Sequence, residues 1–280
     1  MKRMAPPRAT VALPSAALAP VHVGVGGWSY APWRETFYPP DLPQKRELEY
    51  ASRTLTAIEI NSTFYRAPSP ESYARWREAT PPGFVFTLKA PRFITQARDL
   101  GTRSEAAASF MEGALALGDR LGPLLWQLPP TRAFDPDALE RFFTALPRSA
   151  GARKLRHALE VRHPSFVDPR FVALARRLQI AIVFNDAADY PSIADPAADF
   201  VYARLRRSKP TCRSGYPPRE LARWAGHVRT WAAGGVPEDL PYLGGGRKPA
   251  ARPREVFLFF ISGAKERNPA AAQALIAKLR

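Results

Sequence analysis

Ala57-Ile58-Glu59-Ile60-Asn61, Ser69-Pro70-Glu71-Ser72-Tyr73-Ala74-Arg75-Trp76-Arg77 and Phe84-Val85-Phe86-Thr87-Leu88-Lys89 follow one another between residues 57 and 89. The outer two stretches are short and largely apolar, the pattern of parallel strands covered on both faces. The middle one opens as a helix should, with Ser69 placed to cap and Pro70 at the first helical position, where its missing N–H costs nothing. Strand, helix, strand is the unit of a parallel α/β sheet.

Working outward, the unit recurs. Strand-like runs occupy Val21–Val25, Ala57–Asn61, Phe84–Lys89, Leu124–Gln127, Ala158–Val161, Ala181–Phe184, Phe200–Arg204 and Val256–Phe260. Most are followed by a helical pattern. Ser104 to Asp119 is Ala-rich, Asp135-Pro136-Asp137 opens another helix, Arg219 to Ala233 carries Leu221, Trp224, Val228 and Trp231, and Asn268-Pro269 starts the last. Eight alternations in 280 residues predict one α/β domain, a single (β/α)8 TIM barrel over residues 21–280, since such barrels need about 250 residues. The first 20 residues read as a disordered Ala/Pro-rich tail. Pro6, Pro7, Pro14 and Pro20 break every apolar run there, so no signal-peptide core forms.

Composition narrows the function classes. The single cysteine, Cys212, excludes an internal disulfide and a cysteine-based zinc cluster, and fits a reducing, cytoplasmic setting. No run reaches the roughly 18 apolar residues of a membrane span, so no membrane partner is expected. A net charge of +16 favours anionic partners, whether small molecules or nucleic acid, although the basic residues are scattered along the chain. The loop at residues 234–253, rich in Gly and Pro, precedes the eighth strand. It is expected to be mobile and to lie on the face away from the chemistry.

In a TIM barrel the chemistry sits where strands end. The ends here carry Trp28 and Tyr30; Glu59, Asn61 and Tyr65; Lys89 and Arg92; Gln127; Glu160, Arg162 and His163; Asp186; and Arg204. Alternation places Glu59 and Asn61 opposite Ile58 and Ile60, and Glu160 and Arg162 opposite Leu159 and Val161, with the charged set assigned to the barrel interior. Burying charge costs several kcal/mol per ion, which points to a shared polar site. Glu59, Lys89, Glu160 and Asp186 are the candidate catalytic residues. Trp28, Tyr30, Asn61, Tyr65, Arg92, Gln127, Arg162, His163 and Arg204 are the candidate substrate-binding residues. Glu59 with Lys89, or Glu160 with Arg162, also read as ion pairs that tie strand ends together. Four histidines, two of them at strand starts, leave no multi-zinc site; the cofactor stays open, with one carboxylate-bound divalent ion as the metal considered and Asp186 as a residue that could hold it or steady a base. No dinucleotide fingerprint, Walker motif or nucleophile elbow is present.

At these residues the chain closely resembles the YecE-like family of TIM-barrel proteins, also called domain of unknown function 72. The resemblance is carried by Gly26-Gly27-Trp28-Ser29-Tyr30, Glu59-Ile60-Asn61-Ser62-Thr63-Phe64-Tyr65, Phe86 to Thr95, Gln127-Leu128-Pro129-Pro130 and Glu160-Val161-Arg162-His163-Pro164-Ser165. It implies a TIM barrel and a site at Glu59, Asn61, Tyr65, Lys89, Gln127, Glu160, Arg162 and Asp186, but supplies no reaction. Two stretches depart from the family pattern: Phe260-Ile261-Ser262-Gly263 at the end of strand eight, and the long glycine-rich loop before it. The leading expectation is a hydrolase for a phosphorylated or nucleic-acid-related substrate, with Glu59 and Glu160 as acid and base. The alternatives are a Schiff-base lyase using Lys89 and a non-catalytic nucleic-acid-binding protein.

Overall fold

The computed structural model describes residues 18–34, 36–244 and 251–280. The tail expected over residues 1–20 lies outside the described residues except for 18–20, as does part of the 234–253 loop. Eight parallel strands close into one barrel: β1 (Val21–Gly26), β2 (Ala57–Ile60), β3 (Val85–Lys89), β4 (Leu121–Gln127), β5 (His157–Glu160), β6 (Ala181–Asp186), β7 (Phe200–Leu205) and β8 (Glu255–Phe260). Each pairs with its chain neighbours, and β8 closes on β1 in the register Val21 to Val256 through Val25 to Phe260. A small antiparallel pair, Ser149–Ala150 with Arg153–Lys154, precedes β5.

The helices are α1 (Glu47–Thr54), α2 (Pro70–Glu78), α3 (Arg92–Thr95), α4 (Ser104–Ala114), α5 (Pro136–Ala145), α6 (Pro169–Arg177), α7 (Pro218–Ala232) and α8 (Asn268–Leu279). Proline stands in the first turn of α2, α5, α6, α7 and α8. Asp135 caps α5 by accepting from Ala138 N at 2.9 Å, whereas Ser69 makes no side-chain cap on α2. The Ala-rich helix stops earlier than its sequence suggests: α4 ends at Ala114 and a 3-10 segment carries the chain to Arg120, through Gly118 at φ 54°.

The connection from β6 to β7 carries no helix. Residues 187–199 run irregularly, and Asp195, nearly fully buried, holds them in place. It accepts from Arg176 Nη2 at 3.0 Å, Leu243 N at 2.7 Å and Gly244 N at 3.0 Å. Leu240, Tyr242 and Leu243 pack against the core from this side. The described part of the loop before β8 therefore packs where a helix would otherwise give cover.

Inside the barrel, Ala57, Ala158 and Ala181 leave room for Phe200, Tyr202, Phe257 and Phe259. Small residues on one side thus accommodate large aromatics from β7 and β8, which fills the interior. Gly24 belongs to this fit: a Cβ there would lie 1.8 Å from the Ala57 carbonyl oxygen. Toward the strand ends the inward positions turn polar, and the site begins there. Among the described residues, no helix is long and apolar enough to cross a membrane.

Candidate functional site

Strand alternation sends Ile58 and Ile60 outward to the helices and Glu59 inward; Leu159 and Val161 oppose Glu160 in the same way. Glu59, Glu160 and Arg204 are essentially without solvent exposure and form one network. Arg204 donates from Nη2 to Glu59 Oε1 at 2.8 Å and from Nη1 to Glu160 Oε2. Tyr202 OH donates to Glu59 Oε2 at 2.7 Å and is itself 2.8 Å from Thr87 Oγ1. Asn61 Nδ2 donates to Glu59 Oε1 at 3.0 Å. Arg162 Nε reaches Glu160 Oε1 at 2.9 Å, and Arg206 Nη1 lies 3.5 Å from the same oxygen.

Burial alone would push the Glu160 carboxyl up, but Arg204, Arg162, the Gln127 side chain and Arg206 outweigh it and hold the group down at about 2. Burial likewise opposes the charge on Arg204, yet Glu160 and Glu59 carry its pKa upward. Both carboxylates are therefore bound from within the barrel. The ion pair weighed from sequence between Glu59 and Lys89 does not form; Arg204, on the opposite side of the barrel, takes that role. The pair between Glu160 and Arg162 does form.

Above this network opens a cavity of about 280 Å³, lined among others by Gly26, Asn61, Tyr65, Lys89, Gln127, Arg162, Arg204, Arg206, Ser262, Lys265 and Asn268. Gly26 is there for space: a Cβ would fall 2.8 Å from Asn61 Nδ2 and 2.9 Å from Ile261 Cδ1. Lys89 holds its Nζ 3.7 Å from the centroid of the Phe64 ring. Among the described residues, no hydrogen bond or ion pair reaches that nitrogen. Burial first, then the neighbouring Arg204, lowers its pKa to about 8 against the opposing pull of Glu59 and Glu160. Gln127 is nearly fully buried, and its Nε2 has no hydrogen-bond partner among the described residues.

The structure brings Asn61, Tyr65, Lys89, Gln127, Arg162 and Arg204 to this cavity, with Glu59 and Glu160 beneath its floor. Other expected residues are elsewhere. Asp186 shares the outward parity of Phe184 and meets Arg207 at 3.2 Å; burial raises its pKa. Trp28 is turned away after Gly27 (φ 75°) and packs edge-on against Trp76, with ring centroids 5.0 Å apart. Tyr30 stands behind Lys265, whose Nζ is 4.1 Å from its ring. Arg92 is exposed, 5.7 Å from the Tyr65 ring. His163 orders its own loop by accepting from Ser165 N at 3.2 Å. Sequence reasoning missed Asn185, which shares the inward parity of Ala181 and Val183 and is fully buried with both amide atoms unpartnered among the described residues. It also missed Lys265 and Tyr190; the Tyr190 ring lies 4.5 Å from the Arg162 guanidinium and 5.2 Å from that of Arg206.

A divalent cation does not fit this donor set. Both carboxylates already bind guanidinium groups, and Lys89, Arg162 and Arg206 would repel it. Among the described residues no three His, Cys, Asp or Glu side chains converge elsewhere. The other histidines serve the framework. His22 Nε2 lies 2.8 Å from Glu255 Oε1 at the far end of the barrel, and burial lowers the pKa of His157 to about 4.

Fold and site together define a TIM barrel with a cationic, donor-rich cavity at the C-terminal ends of its strands. The chain belongs to the family described as "Protein of unknown function DUF72", whose model matches residues 22–280. It is 31% identical over 149 residues to UPF0759 protein YecE of Escherichia coli K12, covering 52% of this chain and 50% of that one. The chain thus spans about half the length of the curated relatives it matches. A crystal structure of a DUF72 family protein from Thermotoga maritima superimposes with a TM-score of 0.68 at 23% identity, covering 92% of this chain and 98% of the other. One from Enterococcus faecalis gives a TM-score of 0.69 at 16% identity, covering 92% and 95%. These likenesses show the fold.

Proposed function

We propose that the cavity is the active site of an enzyme for a small anionic carbonyl compound, with Lys89 as the nucleophile that forms an imine. One observation carries this reading: the Lys89 amine stands without a hydrogen-bonding or ionic partner among the described residues, its pKa lowered to about 8, in a cavity whose wall also carries the guanidinium groups of Arg162, Arg204 and Arg206. A lysine becomes a nucleophile at neutral pH when burial and neighbouring cations disfavour its charged form. Both are present here.

The amine nitrogen would add to the carbonyl carbon, and the carbonyl oxygen would leave as water as the C=N bond forms. Arg162, Arg206 and the Gln127 amide would hold the anionic end. Phosphoester hydrolysis with Glu59 and Glu160 as acid and base, the leading expectation from sequence, needs those carboxylates open to water or substrate. Glu59 and Glu160 are closed off by Arg204, Tyr202 and Arg162. Hydrolysis therefore ranks second.

Borohydride reduction in the presence of short phosphorylated or carboxylated aldehydes and ketones tests the reading. The expected result is a single stable adduct mapped to Lys89 and absent from Lys89→Met. Turnover of phosphoesters with no adduct at Lys89 would favour hydrolysis instead.

A further inference from the structure

Two guanidinium groups, those of Arg162 and Arg206, meet at the wall of the cavity. Both approach Glu160 Oε1, at 2.9 and 3.5 Å, and both lie against the ring of Tyr190, at 4.5 and 5.2 Å. Like charges this close repel unless something holds them. Glu160 cannot do so alone, because Arg204 already claims its other oxygen. The ring supplies the remaining attraction, since guanidinium groups sit favourably over an aromatic face. Tyr190 comes from the helix-free connection between β6 and β7, which Asp195 anchors at its far end.

Donors are left over at this wall. Arg206 Nη1 is buried with only its 3.5 Å ion-pair contact to Glu160 Oε1, and Gln127 Nε2, on the strand neighbour of Glu160, is buried without a well-formed hydrogen bond among the described residues. Charge is left over as well. Even with the Lys89 amine left out, Arg162, Arg204, Arg206 and Lys265 line the cavity against Glu59 and Glu160 beneath it, an excess of positive charge that a single carboxylate would not balance.

We infer that Arg162, Arg206 and Gln127 form a subsite for the dianion of a phosphate monoester, and that Tyr190 is the positioning residue that holds the two arginines in register for it. Paired, planar guanidinium donors match phosphate oxygens in number and geometry. The inference deepens the proposed function by naming the anionic end of the substrate, and it rests on that reading only for the carbonyl end.

Titration calorimetry on the full chain with methyl phosphate, dimethyl phosphate and acetate is the test. Methyl phosphate should bind at least tenfold more tightly than the two monoanions. Tyr190→Phe, which keeps the ring, should bind methyl phosphate within about twofold of wild type. Tyr190→Leu should bind it about tenfold more weakly, with an unchanged melting temperature. Equal binding of all three anions would overturn the phosphate subsite. Wild-type affinity in Tyr190→Leu would overturn the role of Tyr190, as would weakened affinity accompanied by a collapse in melting temperature. Lys89→Met separates the two readings, because phosphate binding should survive there while borohydride trapping is lost. Trapping without a preference for methyl phosphate would sink the subsite alone; the preference without trapping would sink the imine alone.

Discussion

Glu160 sits among three guanidinium groups with no access to water, and that placement fixes both its role and its response to acid. Its pKa is held at about 2, below the ordinary 4.5. For a depressed carboxyl the stabilisation is complete above the ordinary value and is lost as pH falls from there through about 2. Glu160→Gln leaves Arg162 and Arg206 facing each other without a counter-charge. Breaking a buried ion pair costs about 3–5 kcal/mol. In a chain of this size the melting temperature should therefore fall by roughly 5–9 °C. The loss should shrink when melts are repeated toward pH 2, where wild type forfeits the same interaction; a gap that stays constant with pH would contradict this account. How legible each residue was follows from parity. Ile58 and Ile60 mark an outward face, so Glu59 could be placed inside from sequence. In Ala181-Ile182-Val183-Phe184 every residue is apolar, so the sequence does not tell Asn185 from Asp186, and the acid stands among the candidates where the buried amide belongs.

The strands were legible as elements because covered parallel strands read as apolar runs, and all eight fall where those runs lie. The connections were less so. Tyr190 and Lys265 lie on segments whose path follows no periodicity, and Trp28 looks like a mouth residue until Gly27 turns the chain back onto Trp76. The connection between β6 and β7 carries the largest departure from the regular barrel, and Asp195 is its pin. A buried carboxylate that accepts two backbone N–H groups and a guanidinium stabilises through charge-assisted hydrogen bonds worth about 1.5–3 kcal/mol each. Asp195→Ala should thus destabilise by about 2–4 kcal/mol and speed amide hydrogen exchange at Leu243 and Gly244. Exchange there at the wild-type rate would show that the packing of Leu240, Tyr242 and Leu243 suffices to hold the segment.

At the scale of the whole molecule the barrel divides along its axis. Its lower interior is filled by aromatics set against alanine and glycine; its upper interior holds a charge network that hydrophobic residues of similar size would match or exceed in stability. Perturbed ionisable groups gathered in a cleft mark functional sites more often than structural ones. The net charge of +16 adds a long-range pull on anions toward a mouth already rich in donors. Because Lys89 feels Arg204, Glu59, Glu160 and Arg162 together, its pKa reports on the entire arrangement. The direct measurement is the rate of acylation of Lys89 as a function of pH, followed by peptide mapping. A midpoint near 8 is the result predicted here. A Lys89 whose midpoint lies at the ordinary lysine value of 10.5 would leave the cavity a cationic pocket without its nucleophile.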